Sequence, residues 1–378
     1  MIDYLKKLYI HLFTKSPYKV LPFSSLIKLN VGEPIHISET LNSILTKEEG
    51  ELIFYPPYPE SFDPENFHKK LNANKRYHTG KIYKEADRYL YSLDAGHIIG
   101  YLGLIYDKKS RSFIDESAKL WTSNLEKSNN INFYRLPIPR HLDGVTLSCV
   151  TIGAEGGFYH FLHEVLPKFF FCRKVLPYVD HILINGTAAA WKEKWLIYAG
   201  VNINKIIWID NNSHYNCKQL LFTNRLINDQ QISNWSINAL KSLLNINLPG
   251  TPLKQKRIIW ITRKNVFDRI IAWEDELLSA FPDIEKLDIR EMSVADTINT
   301  FESATHIIGA HGAGFSNILM CRQGTKILEL YPDLSGYQPC YFRISTISGL
   351  NHFVAEVDFN EKAGMEACAH MLAQFILQ

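Results

Sequence analysis

The sequence contains two groups of residues whose types and spacing suit the binding of an anion. One is a pair of arginines, and the other is a glycine-rich turn that contains a histidine. The stretch "HIIGAHGAGFSN" has the pattern of a strand that passes through glycines into a helix. Glycines at such a junction let backbone N–H groups approach a ligand, and a helix N-terminus attracts phosphate. A tight turn with a purely structural role explains the glycines at least as well. His311 favours a binding site, because polar side chains at the carboxyl ends of parallel strands face the ligand cleft.

The spacing of these glycines argues against two common nucleotide sites. Gly309, Gly312 and Gly314 form G-x-x-G-x-G, which differs from the dinucleotide fingerprint G-x-G-x-x-G. No Lys-Ser/Thr pair follows the turn, as a P-loop requires. A dinucleotide-dependent oxidoreductase is therefore disfavoured.

The two arginines lie in "WITRKNVFDRIIAWEDE". Arg263 ends a predicted strand, and Arg269 follows six residues later, before a predicted helix. Two guanidinium groups at the rim of one cleft can bind a diphosphate bidentately and replace a divalent metal. Two solvated surface arginines are the plainer alternative. Glu329 ends the strand "ILELYP", where its carboxylate could accept hydrogen bonds from ribose hydroxyls or be an ordinary charge at a strand end.

A third group of polar residues lies in the predicted helix "GGFYHFLHEVLP". His160, His163 and Glu164 stand at i, i+3 and i+4, so they share one helix face. The order H-x-x-H-E matches neither of the zinc-binding motifs H-E-x-x-H and H-x-x-E-H, and the sequence indicates no third ligand. A carboxylate beside an imidazole suits removal of a proton from an alcohol. Two packed or solvated histidines are the alternative.

Composition limits the class of protein. The chain has 378 residues with 46% hydrophobic residues and a formal net charge of +2, so we expect two domains and no nucleic-acid partner. The six cysteines form no C-x-x-C pair, which predicts buried or free thiols in a reducing compartment. No run of about 18 apolar residues occurs, so a membrane-spanning helix is not expected. Residues 1–13 predict a basic amphipathic helix that either rests on an anionic membrane or packs on its own domain.

The order of the elements predicts an α/β protein. From about Val145 onward, strands alternate with helices, which is typical of parallel sheets with right-handed crossovers. The Pro- and Gly-containing stretch 246–256 is typical of a linker. We therefore expect two Rossmann-like doubly wound lobes with a ligand cleft between them. The first predicted domain, at 1–140, is an extension that contains a small antiparallel meander and packs on the N-lobe. The N-lobe at 141–248 is predicted to bind the acceptor, and the lobe at 249–360 is predicted to bind the donor. A closing helix is predicted at 361–378.

Several of these segments resemble glycosyltransferase family 61. The stretch "GAHGAGFSNILMCRQGTKILELYP" resembles the family signature H-G-A-G-h-[ST]-N followed by G-x-x-h-h-E-h-x-P, where h is apolar. "TRKNVFDRIIAWEDEL" resembles R-x-x-x-x-x-R…N-E-x-E, with Trp273 in place of Asn. "FYHFLHEVLPKF" resembles N-x-x-H-x-x-x-[ED]-x-x-P, with Gly157 in place of Asn. The resemblance extends from about Asp94 to Val357.

The resemblance implies a GT-B fold and an inverting transferase that holds a nucleotide-sugar donor without a metal or other cofactor. The residues that would bind the donor diphosphate are Arg263, Arg269, His311, Gly312, Ala313 and Gly314. Glu329 and Asn317 would bind the nucleoside. Glu164 would be the general base, and His160 would orient the acceptor or that base.

We therefore expect a cytoplasmic glycosyltransferase, with peripheral attachment to the inner face of the cell membrane as the alternative. Its predicted donor is a UDP-sugar, and its predicted acceptor is a hydroxyl of a glycan or lipid-linked saccharide in surface polysaccharide synthesis. The alternative from another class is a non-catalytic nucleotide- or sugar-binding scaffold.

Overall fold

The computed structural model describes residues 19–21, 47–54, 59–73, 82–85, 87–109, 112–114, 117, 136–227, 232–248 and 255–377. The strands are β1 (Lys19–Leu21), β2 (Lys47–Glu48), β3 (Leu52–Phe54), β4 (Glu60–Ser61), β5 (Ile82–Lys84), β6 (Arg88–Ile99), β7 (Leu104–Asp107), β8 (Ser112–Ile114), β9 (Arg140–Ser148), β10 (His181–Asn185), β11 (Ile206–Ile209), β12 (His214–Thr223), β13 (Ile258–Ile261), β14 (Ile284–Leu287), β15 (His306–Ala310), β16 (Lys326–Tyr331) and β17 (Asn351–Glu356).

The α-helices are α1 (Pro64–Ala73), α2 (Phe158–His160), α3 (Leu166–Phe171), α4 (Ala190–Tyr198), α5 (Asn234–Leu243), α6 (Glu274–Ser279), α7 (Val294–Ser303), α8 (Cys340–Ser348) and α9 (Lys362–Leu377). A π-helix (Phe161–Val165) joins α2 to α3. The 3-10 helices are Leu176–Tyr178, Ile203–Lys205, Ile289–Glu291, Ala313–Met320 and Leu334–Gly336.

The described residues form two compact units. The first contains those within 1–49, 87–189 and 201–226, and the second contains those within 50–86, 190–200 and 227–378. This division differs from the predicted domains, because the extension predicted at 1–140 is shared between the units. The helix predicted as a separate closing element at 361–378 belongs to the second unit. The predicted amphipathic helix at residues 1–13 lies outside the described residues.

The first unit is built on one mixed sheet with the order β1-β8-β7-β6-β12-β9-β10-β11, and β2 pairs with β6. The strands β6, β7 and β8 pair antiparallel, whereas β9 pairs parallel with β10 and β12. The long strand β12 joins the two halves, because it is antiparallel to β6 and parallel to β9. The meander and the start of the parallel sheet, which the sequence presents as separate elements, are therefore one sheet.

The second unit contains a parallel sheet with the order β14-β13-β15-β16-β17-β4. Its central strands are rich in Ile and Leu and are almost entirely buried. Continuous apolar runs of this kind are typical of parallel strands that are covered on both faces. Trp260, Leu328, Phe353, Leu372 and Phe375 lie in one core cluster, so α9 packs into the same core as the sheet.

The segment around α1 adds an edge to this sheet. The two residues of β4 pair with β17, and Phe67 of α1 packs edge-on against Tyr337, with the ring centroids 5.5 Å apart. Lys70 forms ion pairs with Asp333 at 2.8 Å and Glu356 at 2.6 Å. These contacts explain why this part of the predicted extension belongs to the second unit.

None of the helices in the described ranges combines the length and the apolar composition that a membrane crossing needs.

Candidate active site

The glycine turn and the first arginine lie at the same edge of the second unit's sheet. The strands β13 and β15 are parallel neighbours, with Ile261 opposite Gly309. Both strands end at the carboxyl edge of the sheet. Arg263, which follows β13, and the glycine turn, which follows β15, therefore lie at the same edge. The turn continues into the 3-10 helix Ala313–Met320, whose N-cap is Gly312. The first N–H groups of such a helix have no partner within it and are available to an anion.

Two glycines of the turn are required by contacts within the protein. A Cβ atom at Gly312 would lie 1.7 Å from Nη1 of Arg263, and a Cβ atom at Gly309 would lie 2.9 Å from the Ile261 carbonyl oxygen. The first contact shows that the guanidinium lies directly against the backbone of the turn. The sequence predicted close approach of a ligand to these glycines, and the structure shows close approach of Arg263.

The two predicted arginines come together around one carboxylate. Nη2 of Arg263 donates to Oδ1 of Asp268 at 2.5 Å, and Nε of Arg269 donates to Oδ2 of the same carboxylate at 3.0 Å. The Arg263 side chain is only 13% exposed. Burial lowers the pKa of Arg263, and the neighbouring charge of Arg269 lowers it further. Two like charges held this close favour binding of an anion with more than one negative charge.

His311 lies beside the turn in a buried polar cluster. Its Nδ1 atom contacts Oε1 of Glu329, and the Tyr331 hydroxyl lies 2.7 Å from the same nitrogen. His352 Nε2 lies 3.1 Å from Oε2 of Glu329. Burial acts to raise the pKa of Glu329, but His311 and His352 together lower it to about 2. The carboxylate is therefore ionised and fixes the ring orientation of His311.

Two residues predicted to bind the nucleoside lie inside the protein. Glu329 is fully buried, and each of its oxygens contacts a histidine. Asn317 is also fully buried, and its Nδ2 donates to the Gly314 carbonyl at 2.9 Å. In this arrangement Glu329 supports His311, and Asn317 closes the glycine turn. A role in nucleoside binding stays a prediction for both.

The predicted base lies in the first unit, on the helix that contains the π-helical segment. His160 Nδ1 and Glu164 Oε1 are 2.7 Å apart, with side-chain exposures of 22% and 9%. The wider turn of the π-helix contains Glu164, and such turns are frequent at functional sites. His163 is fully buried, and its ring centroid lies 4.9 Å from that of Tyr159. The helix thus separates the two predicted histidines: His160 faces outward, and His163 packs inside.

The two departures from the family pattern have structural reasons. A Cβ atom at Gly157 would lie 2.7 Å from the Gly153 carbonyl oxygen, so an Asn there would displace backbone. Trp273, at the N-cap of α6, is buried in the core, and its Nε1 donates to the Asp358 carbonyl at 3.0 Å. Packing and this hydrogen bond take the place of the side-chain cap that Asn provides.

Sequence reasoning missed Asp268, Tyr331 and His352. Tyr331 stands two residues after Glu329 on the same strand, so alternation along β16 could have placed both on one face. His352 belongs to β17, and only knowledge of the strand order places it beside Glu329. Asp268 carried no signal beyond being an acid next to Arg269.

Within the described ranges, no group of three or more His, Cys, Asp or Glu side chains could hold a metal ion. Independence from metal stays a prediction.

Part of the chain matches a model of a known protein family. Residues 158–328 match the family model described as Glycosyltransferase 61. The matched segment contains every candidate residue except Glu329, which follows its last residue. No curated protein matches the chain.

Two solved structures show weak similarity. The E. coli heptosyltransferase WaaC with ADP is 10% identical over 62% of this chain and 100% of that chain, with a TM-score of 0.29. The iron-containing dodecameric glycosyltransferase TibC from enterotoxigenic E. coli H10407 is 9% identical over 67% of this chain and 78% of that chain, with a TM-score of 0.26. Similarities this low carry no argument about this chain.

Proposed function

Because the chain is a glycosyltransferase whose residues 158–328 belong to family 61, we propose that it uses a nucleoside-diphosphate sugar as donor. The acceptor in this proposal is a hydroxyl of a saccharide, the configuration at the anomeric carbon is inverted, and no divalent metal is needed. A UDP-sugar donor and an acceptor in surface polysaccharide synthesis are the finer parts of the proposal. A GT-B fold is proposed as well, supported by the parallel strands and helices within each unit.

The observation that carries the proposal is the contact between Arg263 and the glycine turn. Its guanidinium lies against Gly312, beside the N-terminus of the 3-10 helix, and Arg269 lies across one carboxylate from it. Fixed cations and backbone N–H groups thus converge on one place. Such an arrangement stabilises the charge that develops on a departing diphosphate without reorganising during the reaction.

The proposed reaction is a direct displacement that uses these cations and the predicted base. The acceptor hydroxyl oxygen attacks the anomeric carbon, while the bond from that carbon to the diphosphate oxygen breaks. The electron pair leaves with the diphosphate, whose charge Arg263, Arg269 and the turn amides offset. The hydroxyl proton passes to the His160–Glu164 pair, which is hydrogen-bonded at 2.7 Å. This proposal reverses the roles that the family resemblance implies for the two residues: because His160 is the more exposed member, it receives the proton, and Glu164 orients its ring.

The first test removes the central cation. We expect Arg263→Ala to reduce affinity for UDP by at least about tenfold and to abolish sugar transfer, because one of the two guanidinium groups is lost. Isothermal titration calorimetry with UDP and a donor-turnover assay would measure both effects. Arg257→Ala is the matched control, since Arg257 pairs with Glu285 at the opposite end of the same strand. Full transfer by Arg263→Ala would contradict the proposal.

The second test separates binding from chemistry. We expect Glu164→Gln and His160→Gln each to keep UDP affinity while reducing turnover by about 100-fold or more, because both remove part of the base. Undiminished transfer by both variants would reject the pair as the base. If the wild-type protein binds the donor but transfers sugar to no saccharide acceptor, the alternative function, a non-catalytic nucleotide- or sugar-binding scaffold, is favoured.

A further inference from the structure

Asp268 occupies the position between the two arginines that are proposed to bind the donor. Its Oδ1 accepts from Nη2 of Arg263 at 2.5 Å, and its Oδ2 lies 2.8 Å from Nη2 of Arg269. Among the described residues, its side chain contacts no other charged group. One carboxylate therefore engages both cations, with one oxygen on each.

This geometry is the one expected of a bound phosphate group. Guanidinium groups bind carboxylate and phosphate oxygens through the same planar N–H donors. The donors of Arg263 and Arg269 that face Asp268 are therefore the donors that a diphosphate would need. The carboxylate also cancels one of the two positive charges beside the turn. A diphosphate that binds both arginines must displace Asp268 or share these donors with it.

The loop that carries Asp268 is able to release it. The Asp268 side chain is 55% exposed, and the neighbouring Phe267 side chain is fully exposed. No apolar packing therefore holds this part of the loop. Arg269 has a φ of 53°, a left-handed conformation that is unfavourable for a residue with a side chain. Rotation of the Asp268 side chain away from the arginines thus costs no core contact, and the Asp268 carbonyl oxygen, which accepts from Nε and Nη2 of Arg263 at 3.2 Å, can stay in place.

We propose that Asp268 is a displaceable internal counter-anion, which holds Arg263 and Arg269 in place in the unliganded protein and yields them to the donor diphosphate. On its return after transfer, it competes with the nucleoside diphosphate product and speeds product release. This inference rests on the proposed function, because it assumes that the two arginines bind the diphosphate. It assigns Asp268 a role in setting affinity and release, without contact with the reacting atoms.

The test uses Asp268→Asn, which removes the charge and keeps the shape. Calorimetry with inorganic pyrophosphate and with UDP would give the affinities, and stopped-flow release of a fluorescent UDP would give the dissociation rate. We expect binding to tighten by about fivefold, mostly through slower dissociation, because a competing exposed charge is removed. Asp268→Ser, which removes the carboxylate altogether, should change both quantities in the same direction.

Glu285→Gln is the matched control. Glu285 also forms a two-oxygen pair with an arginine, Arg257, but at the other end of β13. Its substitution should leave both affinities unchanged. If wild-type binding depends on Arg263 but both Asp268 variants bind no more tightly than wild type, the counter-anion role is overturned and the proposed function stands. If neither wild type nor variants bind pyrophosphate or UDP, the proposed function fails and this inference fails with it.

Discussion

Gly312 connects two motifs that are about 50 residues apart in the sequence. A side chain at this position would collide with the guanidinium of Arg263, which a Cβ atom would approach to 1.7 Å. The backbone there is extended, so conformational strain does not explain the glycine. Its absence of a side chain is what allows Arg263 to lie beside the amides of the turn.

A Gly312→Ala substitution tests this contact. We expect the added methyl group to push Arg263 away, to weaken pyrophosphate binding by about tenfold and to cost about 1–3 kcal/mol of unfolding free energy through overpacking. Calorimetry and urea denaturation would measure the two effects. Gly336→Ala is the control, because a Cβ atom there meets nothing within 4 Å. Wild-type affinity in Gly312→Ala would show that the position of Arg263 does not matter.

Residue types alone indicated part of the site. Arg263 and His311 could be predicted because each follows an apolar strand run at its carboxyl end. The burial of Glu329 and Asn317 could not be predicted, because it depends on His352 from a neighbouring strand and on the fold of the turn itself. The bridging position of Asp268 depends on the loop conformation around Arg269, for which the sequence contains no turn signal.

At the scale of elements, buried strands were predictable and joins between them were not. The runs "IIWI" and "HIIGA" are apolar throughout and form β13 and β15 as parallel neighbours. The π-helix at Phe161–Val165 has no local signature, since its residues fit an α-helix equally well. The pairing of β12 with both β6 and β9 depends on contacts far apart in the sequence, which periodicity does not report.

The pairing of β12 with β6 brings two buried histidines together. His97 Nδ1 lies 2.8 Å from His214 Nε2, and His214 Nδ1 lies 2.7 Å from the Pro137 carbonyl oxygen. Burial lowers the pKa of His97 to about 4, with smaller contributions from His214 and Lys108. Burial lowers the pKa of His214 as well.

These directions predict loss of stability in acid. The unfolded chain binds more protons than the folded chain between about pH 6.5 and pH 4, so the free energy of unfolding falls as the pH falls through this window. The expected share of His97 is at most ~1.4 kcal/mol per pH unit. Urea denaturation of His97→Gln at several pH values should show a shallower slope. Burial also lowers the pKa of His306 to about 4, so in His97→Gln the contribution of His306 to the pH dependence of stability remains.

The exposed His141 provides the control for this experiment. Its side chain is more than half exposed, so His141→Gln should leave the slope of stability against pH as it is in the wild-type protein. An unchanged slope in His97→Gln would mean that the pair does not titrate on unfolding.

At the scale of the whole molecule, the sequence indicated an α/β protein and buried cysteines, and both predictions are confirmed. All six cysteines are buried free thiols, and burial raises the pKa of Cys149 to about 12. The domain boundaries differ, because the two-residue strand β4 and the helix α1 join the second unit through β17, Asp333 and Glu356. A strand this short gives no pattern, and the Lys70 ion pairs link positions that are far apart in the chain.

The central claim is that fixed cations and turn amides neutralise the donor diphosphate without a divalent metal. A crystal structure with UDP, grown in the presence of EDTA, tests it most directly. The account predicts diphosphate oxygens within hydrogen-bonding distance of the Arg263 guanidinium and the backbone N–H groups of Ala313 and Gly314. A diphosphate bound elsewhere, or one that binds only when manganese is restored, would contradict it.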